Sequence, residues 1–267
     1  MKPEIKIVVA SHKDYPMPGD KIYVPVLAGA ALRSSPAPNG FTPDNTGENI
    51  SLLNPYFCEL TGLYWAWNNL DADYIGLVHY RRYFSPEKKA DFSNILTSDY
   101  LEKHIPEIRI FVPKKRRYYI ETLYSHYAHT FDAKHLDTAE QIISEKYPEY
   151  SESYRRAVGM RSGYMFNMMI AERSLLDGYC EWLFDILFEL KDRIDCEKMD
   201  DFQKRFCGRV SEILFNVWLD YKITNNELKK EEIEEIPVVG TEKTNWIKKG
   251  SAFLKAKFFG KKYEKSF

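Results

Sequence analysis

Residues 74–84 read Tyr-Ile-Gly-Leu-Val-His-Tyr-Arg-Arg-Tyr-Phe, an apolar run followed at once by a histidine and two arginines. The apolar part, Tyr74–Val78, is short and rich in branched side chains, and it predicts a buried strand. In α/β sheets ligands bind beyond the C-terminal ends of the strands. This stretch therefore predicts both a sheet and a candidate ligand site at one of its edges.

Strand and helix patterns alternate on both sides of this stretch. Upstream, residues 5–10 and 23–28 predict strands, and Asn54 with Pro55 predicts the start of a helix that continues to about residue 69. Such alternation predicts an α/β fold with a mostly parallel sheet flanked by helices. The predicted elements downstream are a strand at 108–112, a helix at 134–147, a strand at 163–171, a helix capped by Ser174 at 174–194, a helix at 210–221 and a strand at 236–239.

The composition is that of an ordinary globular chain. With 267 residues, 44% of them hydrophobic, the chain can bury a core without disulfides or structural metals. The formal net charge of −1 does not favour a nucleic acid partner. The four cysteines form no metal-binding pattern and predict reduced thiols. Neither a signal peptide nor a run of about 18 apolar residues is found, so we expect a cytoplasmic protein.

The last 27 residues differ from the rest, which predicts one domain at 1–240 and a tail at 241–267. The tail holds eight lysines and two glutamates, a formal charge of +6, with aromatic residues between them. This pattern is typical of an amphipathic helix on an anionic membrane surface, here the inner face of the cell membrane. A helix docked on its own domain and a nucleic-acid patch are the alternatives.

Several segments together resemble a bacterial family, long labelled a domain of unknown function, found among capsular and exopolysaccharide biosynthesis proteins. The most specific of them is His-Tyr-Arg-Arg-Tyr-Phe at 79–84. The others are DNTGENIS at 44–51, NPYFCELT at 54–61, YWAW at 64–67, NMMI at 167–170, YCEWLF at 179–184, Ser211-Glu212, Val217-Trp218 and AKFFGKKY at 256–263.

The resemblance implies a GT-A-like (Rossmann-like) fold and sugar transfer from a nucleotide donor. Some family members are associated with galactose or galactofuranose transfer, so a UDP-sugar donor and a lipid-linked glycan acceptor in surface polysaccharide biosynthesis are expected. A non-catalytic module that binds a nucleotide sugar or a glycan within an assembly complex is the alternative.

The predicted donor site begins with His79, Arg81 and Arg82. Fixed guanidinium groups can stabilise the charge that develops on a departing nucleoside diphosphate. Neighbouring side chains of an extended segment point to opposite sides, so one of the two arginines is expected to face the ligand, and the alternative is that both pair with surface carboxylates. Many GT-A enzymes carry Asp-x-Asp at this point, but Asp71-Ala72-Asp73 precedes the strand and is expected at the opposite edge. No metal ligands are therefore assigned, although a divalent cation, Mn²⁺ or Mg²⁺, stays possible.

Two further segments are expected to face the donor. Ser11, His12 and Lys13 follow the first strand, where GT-A folds meet the base and ribose. Asp44 and Asn49 lie in a polar segment after a flexible loop, with Gly47 expected at positive φ. A plain polar turn is the alternative for each segment.

The candidates for the catalytic base are Asp132, Asp137 and Glu212. An inverting transfer needs a carboxylate to take the acceptor hydroxyl proton. Asp132 and Asp137 lie among three histidines, and Glu212 lies on a later helix. The histidines, His126, His129 and His135, do not repeat a zinc spacing, and Asp137 has a second interpretation as a charge at a helix N-terminus.

Overall fold

The computed structural model describes residues 2–89 and 91–241, so the predicted tail lies outside the described residues from position 242 onward. Its strands form one large sheet and a two-stranded ribbon. They are β1 (Ile5–Ser11), β2 (Tyr23–Leu27), β3 (Thr42–Pro43), β4 (Tyr74–His79), β5 (Arg82–Phe84), β6 (Ile110–Pro113), β7 (Arg116–Arg117), β8 (Ser162–Gly163), β9 (Met169–Glu172), β10 (Ile233–Ile236) and β11 (Val238–Gly240).

The large sheet is mostly parallel, as the alternation of elements predicts. Its order is β10-β6-β9-β4-β1-β2-β3, with β1 parallel to both β2 and β4, and β10 parallel to β6. Strand β9 is antiparallel to β4 and β6. Strands β5 and β11 form an antiparallel extension from the end of β4. The fold is thus a GT-A-like α/β fold.

Helices cover both faces of this sheet. They are α1 (Asn54–Phe57), α2 (Leu60–Asn69), α3 (Ser98–His104), α4 (Leu123–Ala128), α5 (Lys134–Lys146), α6 (Ser151–Gly159), α7 (Arg173–Arg193) and α8 (Phe206–Thr224). Successive side chains of β1 point to opposite faces: Val8 packs in one core and Ile7 in the other. Both faces are buried, which explains the continuous apolar run of β1.

Four predicted elements are wrong in their details, and one of them is the strand expected at 236–239, which is divided between β10 and β11. The helix expected from residue 54 breaks at Cys58, whose φ of 53° separates α1 from α2. The strand expected at 163–171 is reduced to β8 and β9, because Phe166 and Asn167 adopt positive φ between them. Ser174 does not cap α7: Glu172 holds that position, and the Ser174 hydroxyl donates to its carboxylate at 2.7 Å.

No helix among residues 2–89 and 91–241 is long and apolar enough to cross a membrane. All four cysteines are free, and Cys180 and Cys207 are buried in the core.

Candidate functional site

The candidate site lies where β1 and β4 end side by side. Ala10 and His79 are paired in the parallel ladder, and the Tyr80 amide donates to the Ala10 carbonyl at 3.2 Å. The polar residues after both strands therefore reach the same edge of the sheet. The start of β9 lies at this edge too, because β9 runs antiparallel to β4. Asp73, at the other end of β4, accepts a hydrogen bond from the Glu4 amide at 2.8 Å, so it lies at the opposite edge, as predicted.

Aromatic and cationic groups pack together after β1 and β4. The Tyr80 hydroxyl lies 3.4 Å from His12 Nε2, and Arg81 lies over the Tyr80 ring at 4.9 Å. Lys13 Nζ is 5.5 Å from the ring centroids of both Tyr15 and Tyr80. Burial lowers the pKa of His12, and the nearby Arg81, Arg33, Lys13 and Arg205 lower it further.

Arg82 points to the neighbouring part of the edge. Its guanidinium lies over the Phe166 ring at 4.8 Å. Burial lowers the pKa of Arg82, Arg81 and Arg209 add like charge, and Glu212 and Glu59 oppose them. The three arginines outnumber the two glutamates in this cluster, so the site favours an anionic ligand.

A buried polar network holds the His79 side chain in place. His79 Nε2 donates to the Phe166 carbonyl at 2.5 Å and lies 4.0 Å from Glu59 Oε1. Asn167 Nδ2 donates to Glu59 at 2.8 Å, and the Ser211 hydroxyl donates to Asn167 Oδ1 at 2.8 Å. Burial disfavours the ionised form of Glu59, but His79, Arg209 and Asn167 outweigh it and hold the pKa of Glu59 below its usual value.

Helix α8 contributes the other charged groups. Arg209 Nη1 donates to Glu212 Oε1 at 2.8 Å, and only 6% of the Glu212 side chain is exposed. Burial opposes the charge on Arg209, but Glu212 and Glu59 prevail and raise the pKa of Arg209 above its usual range. One turn earlier, Arg205 Nε contacts Cys58 Sγ at 3.2 Å.

Positive φ angles are concentrated around this network. Cys58 precedes Glu59 with φ 53°, and Phe166 and Asn167 have φ 78° and 54°. A non-glycine residue in this region costs on the order of 1–3 kcal/mol and persists only where its surroundings hold it. Each strained residue here either precedes or contacts Glu59 or Arg82, which is typical of a functional site.

A second cluster joins His126 and His129, two of the histidines noted in the sequence, to Glu121, which the sequence analysis did not single out. This glutamate is 3% exposed, and its two carboxylate oxygens lie 3.0 Å from His126 Nδ1 and 2.7 Å from His129 Nδ1. Burial raises the pKa of Glu121, but hydrogen bonds from both histidines lower it below its usual value. An ionised carboxylate only accepts, so both Nδ1 atoms carry protons. The capping box of Thr122 and Ser125 begins α4 and places both histidines on it or at its end.

Tyr118 connects this cluster with Arg209 and Glu212. Its ring lies 4.2 Å from that of His126, and Arg116 lies 5.0 Å over it. Burial raises the pKa of Tyr118 to about 12, and the charged groups that act on it include Arg116, Glu212 and Arg209. Its buried hydroxyl has no hydrogen-bond partner among the described residues. Such an orphan costs about 1–3 kcal/mol.

The side chains of the remaining predicted donor residues are hydrogen-bonded to other parts of the protein. Asp44 is fully buried, and its carboxylate accepts from the Gly29 and Ala30 amides and the Ser51 and Thr61 hydroxyls. Asn49 Nδ2 donates to the Gly47 carbonyl at 2.8 Å. Gly47 has the expected positive φ, 55°.

Ser11 behaves similarly, because its hydroxyl donates to the Lys13 carbonyl at 2.6 Å.

The predicted carboxylates of the histidine-rich segment lie on the surface. Asp132 accepts from the Lys134 amide at 3.0 Å, and Asp137 accepts from the Tyr124 hydroxyl at 2.8 Å. His135 is buried and contacts the Tyr127 hydroxyl at 2.9 Å. No group of three or more His, Cys, Asp or Glu in the part of the chain that the structure describes has the arrangement of a metal site.

Fold and site together define a GT-A-like α/β protein with a cationic ligand edge. The chain belongs to the DUF4422 family, described as a domain of unknown function, whose model matches residues 6–225. No curated protein matches the chain significantly. A similar solved structure is the apo form of the bifunctional glycosyltransferase WbbM, with a TM-score of 0.81 and 27% identity over 90% of this chain and 46% of that one. The chain thus spans about half the length of WbbM.

Proposed function

We propose that this protein transfers a glycosyl group from a UDP-sugar to a hydroxyl of a lipid-linked glycan during surface polysaccharide biosynthesis. The proposed sugar is galactose or galactofuranose. The observation that carries the proposal is the cationic edge formed by His12, Arg81, Arg82 and their neighbours at the ends of β1 and β4. The likeness to a bifunctional glycosyltransferase supports it.

In this proposal the donor diphosphate lies against Arg81 and Arg82. When the bond between the sugar C1 and the phosphate oxygen breaks, its electron pair stays on the diphosphate, and the arginines stabilise the added charge. Arg82 is held against Phe166, so little reorganisation is needed during the reaction. A bound diphosphate should raise the pKa of His12, because the anion offsets the cations that, together with burial, lower that pKa in the free protein.

We assign the acceptor proton to His129. Its Nδ1 is held by Glu121, which leaves the Nε2 lone pair to accept a proton as the acceptor oxygen bonds to C1. Glu121 then stabilises the imidazolium, the part that a carboxylate plays in a Ser-His-Asp triad. His126 stays neutral, because burial lowers its pKa.

This assignment is preferred over the three carboxylates suggested by the sequence. Asp132 and Asp137 are exposed and bound within their own segment, and Glu212 is bound by Arg209. All three carboxylates remain predictions that kinetics can separate.

The test is a titration of the purified protein with UDP-galactose, UDP-galactofuranose and UDP-glucose, followed by measurement of UDP release with and without a lipid-linked acceptor. Acceptor-dependent release from one donor is expected. Binding without release in the presence of acceptor would favour the non-catalytic module, and no binding of any UDP-sugar would contradict the donor site itself.

A further inference from the structure

The segment from Lys114 to Ile120, called the basic loop here, presents a cationic and apolar surface that the proposed chemistry does not use. It reads Lys-Lys-Arg-Arg-Tyr-Tyr-Ile and follows β6. Lys114, Lys115, Arg116 and Arg117 are all exposed. The ribbon of β7 with β8 fixes its conformation, since Arg116 and Arg117 pair with Gly163 and Ser162.

Within residues 2–89 and 91–241, the four cations of the basic loop have no acidic partner. None of them lies within ion-pair distance of a carboxylate among the residues that the structure describes. Lys115 lies over the Tyr164 ring at 4.8 Å and Arg116 over the Tyr118 ring at 5.0 Å. Arg161 adds another exposed cation, and its guanidinium reaches the Tyr119 carbonyl at 3.4 Å.

The tip of the basic loop exposes two large apolar side chains. Tyr119 is 78% exposed and Ile120 is 64% exposed. The Ile120 amide donates to the Tyr118 carbonyl at 2.6 Å, and Tyr119 between them has φ 57°, which is a tight γ-turn. Positive φ is unfavourable for an aromatic residue, so the turn is maintained by its surroundings while it holds both side chains in water.

We propose that the basic loop docks on an anionic lipid membrane. Unpaired cations around exposed aromatic and aliphatic side chains are the chemistry of a membrane-interface contact. Tyr119 and Ile120 would enter the headgroup boundary, and the cations would contact lipid phosphates. This surface belongs to the described domain and is formed by a different segment of the sequence from the predicted C-terminal tail.

The position of the basic loop relative to the site fits a membrane-bound acceptor. Tyr118 precedes the tip and contacts His126, and Glu121 directly follows it. Resting on the function proposed above, docking would present the glycan of a lipid-linked acceptor next to Glu121 and His129. Membrane binding itself does not depend on that function.

The test measures cosedimentation of the full chain with vesicles of phosphatidylcholine mixed with phosphatidylglycerol, since anionic lipid is what attracts basic segments. The first variant carries Tyr119→Ser and Ile120→Ser, and the second carries Lys114→Gln and Arg117→Gln. Each is expected to weaken the apparent partition constant by about tenfold, and the loss in the second should shrink at high salt. Since all four side chains are exposed, the melting temperature should not change.

Matched controls carry the same changes elsewhere on the surface. Leu32→Ser with Leu52→Ser removes side chains that are 53% and 65% exposed, and Lys2→Gln with Lys89→Gln removes two exposed lysines. Both controls should keep the wild-type partition constant. The proposal is overturned if the loop variants bind vesicles as the wild type does, or if the controls lose as much binding. Loss of transfer to a soluble acceptor with unchanged vesicle binding would place the loop in the acceptor site instead.

Discussion

Arg82 is half-buried over Phe166 and is surrounded by charges of both signs. A guanidinium in this setting can stabilise a diphosphate without large rearrangement, and lysine lacks its planar fork. If it stabilises the leaving group, Arg82→Ala should lower kcat by about a hundredfold or more, and Arg82→Lys should restore part of it.

The control for Arg82 is Arg155→Ala, which removes an arginine that is 63% exposed and lies 3.7 Å from Glu140. Steady-state UDP release checks both variants, with circular dichroism to confirm folding. Near wild-type kcat in Arg82→Ala would exclude Arg82 as the diphosphate ligand.

His12 makes donor binding dependent on pH. Its pKa is lowered in the free protein by burial and by Arg81, and a bound diphosphate raises it again. The complex therefore binds more protons than the free protein does, so affinity should rise as pH falls through the interval between the two pKa values. Calorimetric titration with a UDP-sugar between about pH 8 and pH 5.5 checks this, around the ordinary histidine pKa.

A UDP-sugar is the right ligand for this measurement, because its diphosphate, esterified at both ends, does not titrate in the range. The variant His12→Asn should flatten the dependence. An equal pH dependence in His12→Asn and the wild type would assign it to another group.

Glu121 positions His129 rather than touching the substrate. In Glu121→Gln the amide can accept from only one of the two histidines, so the tautomer of the other is no longer defined. We expect kcat to fall by about a thousandfold or more with little change in KM for the donor, by analogy with the loss of the carboxylate from a Ser-His-Asp triad.

The comparison set for Glu121→Gln is Asp132→Asn, Asp137→Asn and Glu212→Gln under the same conditions. A larger loss of kcat in any of these three would move the base to that carboxylate.

At the scale of the elements, strands β4 and β9 approach each other so closely that there is no room for a side chain at position 76, where the residue is Gly76. A Cβ at this position would lie 2.7 Å from Ile170 Cγ1 and 3.0 Å from the Met169 carbonyl oxygen. Gly76→Ala should therefore lower the free energy of unfolding by about 1–3 kcal/mol, as overpacked cores do. His79 and Asn167 lie just beyond this contact, so activity should fall as well.

The matched control is Gly178→Ala in α7. An added Cβ there meets nothing within 4 Å, and alanine favours a helix over glycine by up to about 1 kcal/mol. Urea unfolding should give a lower free energy of unfolding than the wild type for Gly76→Ala and a higher one for Gly178→Ala. Equal stability of Gly76→Ala and the wild type would mean that β4 and β9 separate at little cost.

For the molecule as a whole, charge is unevenly distributed. Residues 241–267 carry a formal +6 in a chain of −1, so residues 1–240 carry −7. A body of this charge is repelled by anionic lipid unless local basic surfaces contact it, and each lysine near such a surface contributes about 1 kcal/mol. Removal of residues 242–267 should weaken vesicle binding and slow transfer to a lipid-linked acceptor, while transfer to a short soluble acceptor persists.

The truncation begins after Thr241, because its amide donates to the Arg81 carbonyl at 3.1 Å and its hydroxyl lies 3.2 Å from the Tyr15 hydroxyl. Cosedimentation and transfer rates are the measurements. An unfolded truncated protein, or one that binds vesicles as the full chain does, would contradict a membrane role for the tail.

Local pattern in the sequence determined much of the fold. The apolar runs of β1, β2 and β4 are long enough to identify buried strands, and the helical spacing in α5, α7 and α8 identifies their buried faces. Ligands bind beyond the C-terminal ends of strands in such sheets, and this rule placed His12, His79, Arg81 and Arg82 at one edge. It could do so because each of them lies at or just after the end of a predicted strand in the sequence. The break at Cys58 and the turn at Phe166 and Asn167 escaped prediction, since non-glycine residues rarely adopt positive φ without tertiary contacts to hold them.

Only the tertiary structure decided which polar residues meet. Glu59 interacts with His79, Asn167 and Arg209, which lie in three separate parts of the chain. No spacing of residues in the sequence predicts those contacts. Asp44 resembles a ligand residue in the sequence, yet folding surrounds its carboxylate with four protein donors. Glu121 and its two histidines are near in sequence, but their chemistry depends on burial of the carboxylate, which the packing of α4 against the core provides. Helix and strand propensities and the periodicity of hydrophobic residues act over a few neighbouring residues. The desolvation and pairing of charged groups depend instead on segments that are far apart in the chain.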